Sequence, residues 1–142
     1  MRSRRKSIKK KEYWHKQFFV IDLNIFKVDI GVCVNASEKE IKQWLKKISG
    51  TNYSDFNQTE LNDWDNSKTD IGRMIGLNGG VIIILKFKKD QFRESIACLC
   101  HEVFHVVSHL CHDRQTPLIK QTDEIYAYLI EEIMSKILFK LY

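Results

Sequence analysis

The sequence predicts an α+β domain in which a small, mainly antiparallel sheet packs on three helices. Three observations carry that expectation. Short runs rich in Phe, Val and Ile recur in the first ninety residues, separated by Asn, Asp, Ser and Gly, which is strand-and-turn chemistry. Three other stretches repeat their apolar residues at helical spacing. The chain has 142 residues, 44% of them hydrophobic and 29% charged, which is enough for one core and an ordinary globular balance. No apolar run approaches the roughly 20 residues that a membrane-crossing helix needs, so no membrane partner is expected.

Residues 1–16 form a basic tail. Eight Lys and Arg stand there against Glu12, a net of +7, whereas the chain as a whole carries +5; the other 126 residues therefore sum to −2. The tail reads as a solvated, disordered leader, with nucleic acid or an acidic partner as its sharper use. It is followed by only Phe18, Phe19, Val20 and Ile21 before Asp22 interrupts, and no small-residue cleavage site appears, so it does not read as a signal peptide. A cytoplasmic protein is expected. Cys33, Cys98, Cys100 and Cys111 form no CxxC pair and fit reduced thiols in that compartment.

The folded body is expected over 17–142 as a single domain. Residues 17–23 and 25–34 read as strands. Ser37 is the expected N-cap of the first helix, with Glu40 completing a capping box, Ile41, Trp44, Leu45 and Ile48 on its buried face, and Gly50 ending it. Residues 51–69 are polar and read as a long loop with a helical turn around Leu61 and Trp64. Ile71 to Leu77 and Val81 to Phe87 flank Asn78, Gly79 and Gly80, a hairpin signal. Asp90 is the expected cap of a helix from about 91 to 112. Pro117 sits in the following connection, and Thr122 is the expected cap of a last helix over 123–140.

The long helix carries the chemistry. His101 and His105 are four residues apart, hence on one helix face, where two imidazoles can converge on one metal ion. Glu102 points to the side of that pair, placed to take a proton from a water on the metal without being a ligand. Ile96, Ala97, Leu99, Val103, Phe104, Val106 and Val107 make the surroundings apolar, so the motif is expected to be largely buried. His109 lies about 12 Å along the axis from His101, too far to share its metal, and His112 is farther; both read as polar groups near a helix C-terminus. Cys111 stands where an HExxHxxGxxH pattern places a third histidine, but Ser108 replaces the Gly that would turn the chain, and the helix is expected to continue. The favoured third ligand is Glu124, at the start of the last helix and facing the two histidines, over its neighbour Asp123. Ala127 would let the two helices approach, and Glu131, two turns on, reads as supporting or solvated. The metal is expected between the last two helices.

These residues resemble the zincin metallopeptidases, specifically their glutamate-ligated branch. The pattern is His101-Glu102-x-x-His105, eighteen residues, then Glu124 followed by Ile125, Tyr126, Ala127 and Tyr128. It covers about residues 70–140 and is similar to small HExxH proteins encoded by phages and mobile elements. The strand Val81–Phe87 just before the helix also fits, and the resemblance implies a minimal zincin-like fold with the HExxH helix central and a preceding sheet whose edge strand aligns an extended peptide. It implies Zn2+ held by His101, His105 and Glu124, and peptide-bond hydrolysis with Glu102 as general base. The family's oxyanion-side motif is not matched; Tyr126, Tyr128, His109 and His112 are the candidates for that role. The rival expectation is a zincin-fold binding protein without catalysis, recruited to nucleic acid or a host protein through residues 1–16.

Overall fold

The structure, a computed structural model, describes residues 16–49, 72–77, 80–87 and 91–141. The expected tail (apart from Lys16), the 51–69 loop, Gly50, Asn78, Gly79 and the cap residue Asp90 lie outside the described residues.

Within them the chain forms β1 (Gln17–Leu23), a single 3-10 turn (Asn24–Phe26), β2 (Val28–Val34), α1 (Glu38–Ser49), β3 (Gly72–Leu77), β4 (Gly80–Leu85), α2 (Phe92–Asp113) and α3 (Asp123–Leu141). The four strands make one sheet in the order β1-β2-β4-β3. β1 pairs antiparallel with β2, and β3 with β4, as the hairpin signal requires. The two inner strands, β2 and β4, run parallel, with Ile30 opposite Val81 and Val34 opposite Leu85. The fold is α+β, with a mainly antiparallel sheet and three helices among the described residues.

The sheet is covered on both faces, which explains why Val81 to Leu85 is uninterruptedly apolar: a strand buried on both sides has no polar alternation. Ile30, Val32, Val34, Val81, Ile83 and Leu85 face Leu99, Val103, Val106, Val107 and Leu110 of α2 and Leu129, Ile133 and Ile137 of α3. Cys33, Ile82, Ile84 and Ile75 face Ile41 and Leu45 of α1. Adjacent strand residues thus divide between two cores, as a period of two dictates.

Local signals place the ends. The Ser37 hydroxyl accepts from the Glu40 amide at 3.3 Å while the Glu40 carboxylate accepts from the Ser37 amide at 3.3 Å, so the capping box forms as expected. Lys16 adds an ion pair to that same carboxylate. Strand 25–34 begins later than expected, because Lys27 adopts φ 50° to close the turn between β1 and β2. Gln91, with no side-chain cap, takes the N-cap of α2. β4 stops at Leu85, but Asn35 extends the sheet by binding Phe87 through both its carboxamide oxygen and its nitrogen, at 2.7 and 3.2 Å.

α2 ends in a Schellman motif. Gln115 is left-handed at φ 55°, its amide donates to the His112 carbonyl, and the Thr116 amide donates to that of Cys111. Pro117 then prevents continuation. Thr122 directly precedes α3, yet its hydroxyl serves the loop, accepting from the Ile119 amide at 3.0 Å and donating to the Pro117 carbonyl at 2.5 Å. No helix among the described residues is long and apolar enough to cross a membrane.

Candidate metal centre

The angular position of each residue on α2 decides what it can do. Val103 is buried, as are Leu99, Val106, Val107 and Leu110, and together they mark the core-facing stripe. His101 and His105 are each two residues from Val103, so each stands about 160° round the helix from it. Both rings are exposed. Glu102, one residue from Val103, is about 100° round and reaches the flank of the helix. It is 7% exposed.

This corrects the expectation of a largely buried motif. Only Glu102 is inside; the histidines open to solvent on the far side of α2 rather than into its seam with α3. Ala97 and Phe104, taken as part of an apolar shell, are exposed as well. Burial of neighbours in sequence does not bury a helical residue that lies opposite the stripe.

The two imidazoles nevertheless meet. Their Nε2 atoms are 2.9 Å apart, the ring centroids 4.6 Å apart and the planes at 75°. Two ligand nitrogens on one tetrahedral ion, each about 2.0–2.1 Å from it, are separated by about 3.3 Å. The pair therefore already has close to the spacing of two ligands of a single zinc. Phe104 flanks it, 6.3 Å from the His105 ring centroid.

Glu102 owes its place to a feature of β3 that the sequence reading passed over. Among the described residues β3 is an edge strand, and Gly72, Met74 and Gly76 alternate on the side facing α2. A Cβ at Gly72 would lie 2.7 Å from Cys98 Sγ and 3.0 Å from Glu102 Cγ. A Cβ at Gly76 would lie 3.2 Å from the His109 ring. Two missing side chains let α2 lie directly on the strand, and Glu102 fills the space at one of them. Among the described residues its carboxylate has no hydrogen-bond or ion-pair partner, an arrangement that is costly for a buried acid unless a ligand or water serves it.

The remaining candidates separate clearly. α2 runs unbroken through Ser108 to Asp113, and Cys111 is fully buried in the core against Tyr126, where burial raises its pKa, so it is not turned toward the pair. Tyr126 is buried and donates from its hydroxyl to the Thr116 carbonyl at 2.8 Å, a structural role. Tyr128 and His112 are exposed. His109 packs on Gly76 with Asp113 nearby.

Glu124 is exposed in the first turn of α3, outside the stripe of Tyr126, Leu129, Ile133 and Ile137 that α3 buries. Tyr126, two residues on, sits beside Cys111, which lies about 9 Å along the α2 axis beyond His105. The expected facing of Glu124 and the histidines is therefore not what the structure displays. Asp123 accepts from the Glu124 amide at 2.8 Å, and Ala127 and Glu131 are exposed rather than packed between the helices. Among the described residues no group of three His, Cys, Asp or Glu side chains is gathered to hold a metal ion. The donor set in place is two imidazoles with an adjacent buried carboxylate. Comparison of the chain with protein-family models, with curated proteins and with solved structures finds no match.

Proposed function

We propose that the chain is a zinc-dependent hydrolase of peptide bonds, with His101 and His105 holding the metal and Glu102 acting as general base. The observation that supports this reading most is the 2.9 Å approach of the two Nε2 atoms, with the side chain between them in sequence buried and unpartnered among the described residues. Zinc held there supplies Lewis acidity and brings the pKa of water down toward neutrality.

The chain's own residues divide the remaining work. The imidazoles must be neutral to bind, and their shared helix face fixes their geometry. Glu102 takes the proton of the attacking water and returns it to the leaving amine, a task helped by its shelter from bulk solvent. Among the described residues β3 is at the sheet edge, and in this reading an extended peptide lies along it as an added strand. β4, the strand nearest the motif in sequence, is an inner strand and offers no such edge.

Glu124 remains the third ligand of this reading. Since it is exposed in the first turn of α3, two residues before the Tyr126 that packs on Cys111, it joins the pair only if that turn re-seats on metal binding.

The test is Glu102→Gln in the full chain, with zinc content and cleavage of dye-labelled casein measured together. The reading requires zinc-dependent cleavage by the wild type, and a variant that keeps its zinc and loses turnover by about a hundredfold or more. A wild-type protein that holds zinc but cleaves nothing reduces the site to metal binding. Equal turnover in the variant removes Glu102 from the chemistry.

A further inference from the structure

One turn beyond the His101–His105 pair, α2 carries a second pair at the same spacing. His109 Nε2 and Asp113 Oδ2 are 3.6 Å apart. That is too long for a direct hydrogen bond. It is close to the roughly 3.4 Å that separates an imidazole nitrogen and a carboxylate oxygen on one tetrahedral zinc, with bonds of about 2.0–2.2 Å. We propose that His109 and Asp113 form a second, weaker site for a divalent transition-metal cation, separate from the His101–His105 pair and independent of whether that pair supports hydrolysis.

Four features favour a cation there. The two side chains are 38% and 57% exposed, so an ion can keep part of its water shell and pay little desolvation. A cavity of about 390 Å³ opens beside them, bounded also by Val28, Gly80, Val81 and Leu110, which leaves room for those waters. The His109 ring rests on Gly76, where a Cβ would come within 3.3 Å of its Nε2, so one ligand is held by the strand. Finally, the pair lies toward the C-terminal end of α2, with Asp113 in its last turn, the end at which the helix dipole favours positive charge. Arg114 borders the same cavity and is, among the described residues, the one opposing charge on its wall. Its guanidinium is committed elsewhere: it donates to the Leu110 carbonyl at 3.0 Å and the Phe26 carbonyl at 3.2 Å, and lies 4.1 Å from the centre of the Phe26 ring.

The two pairs do not merge into one site. His105 is turned toward His101, and His109 toward Asp113, so the ladder of residues 101, 105, 109 and 113 divides into two clamps. Their midpoints are about 12 Å apart along the helix, beyond the reach of a shared ligand.

Calorimetric titration of the metal-free full chain with zinc tests this. Two binding events of unequal affinity are expected. His109→Gln, at a half-buried position, and Asp113→Asn, at an exposed one, should each weaken the weaker event by about tenfold or more while leaving the tighter one unchanged, and Asp113→Asn should also leave the melting temperature unchanged. His101→Ala should do the reverse. A single binding event in the wild type, or a second event unaltered in both His109→Gln and Asp113→Asn, overturns the proposal. Loss of the tighter event's dependence on His101, with the weaker event still dependent on Asp113, overturns the reading of the first pair and leaves the second standing.

Discussion

Gly72→Ala is the substitution that most directly links the sheet to Glu102. An added Cβ at this position would lie 2.7 Å from Cys98 Sγ, 3.0 Å from Glu102 Cγ and 3.2 Å from Leu85 Cδ2. Favourable contacts between such atoms lie near 3.5–4.0 Å, so α2 and β3 must separate by roughly 1 Å, or Cys98 and Glu102 must leave their positions. Forced overpacking of this kind costs about 1–3 kcal/mol. The opposing gain, from restricting the unfolded chain when Gly becomes Ala, is about 0.4–1 kcal/mol, so the clash should win. For a domain of this size the net loss, about 1.3 kcal/mol at mid-range, should lower the melting temperature by a few degrees per kcal/mol, roughly 3–7 °C. Thermal melts of Gly72→Ala, Cys98→Ala and the double variant form a cycle. Since the nearest clash is with Sγ, the two substitutions should be coupled by about 1 kcal/mol, with the double variant recovering part of the loss. A Gly72→Ala protein as stable as the wild type, or strict additivity in the cycle, would refute the close seating of α2 on β3.

Two further outcomes follow from the same geometry. Burial pushes the Cys33 thiol up to about 12, so at pH 8 almost none of it is thiolate; Cys100 is exposed, and a thiol reagent should modify Cys100 in the native state while Cys33 reacts only on unfolding. Mass mapping after brief labelling reads this, and rapid native modification of Cys33 would contradict the buried β2. If Glu124 completes the zinc site, Glu124→Ala should weaken zinc binding far more than Asp123→Ala, whose loss is confined to a helix-terminus effect of about 0.3–1 kcal/mol; equal zinc affinity in both variants would exclude Glu124, and Cys111→Ser should leave affinity unchanged.

Much of this fold is legible in the residues themselves. The Ser37–Glu40 box, the apolar run of β4 and the helical repeat around His101 each report local physics that tertiary packing leaves intact. The parallel pairing of β2 with β4 is less visible, because it depends on a crossover through α1 and β3. The spacing of His101 and His105 brings their rings together, but both are exposed rather than buried. Proximity in sequence to apolar residues such as Ala97 and Phe104 does not bury the histidines, because the angle from Val103 puts both opposite the core. Angle likewise sets Glu124 apart: it lies off the Tyr126–Leu129–Ile133 stripe, and the Schellman turn at Gln115 decides where α3 begins. Two further features are legible in the sequence, the alternation of Gly72 and Gly76 on β3 and the four-residue spacing of His109 and Asp113.

The central claim is that the exposed imidazoles of His101 and His105 hold one zinc ion. Elemental analysis of the full chain after exhaustive dialysis against trace zinc tests it. The account predicts close to one tightly held zinc per chain, its loss in both His101→Ala and His105→Ala, and little change in melting temperature in either metal-free variant, since both rings are solvent-exposed. Full zinc retention in the two single variants would contradict it.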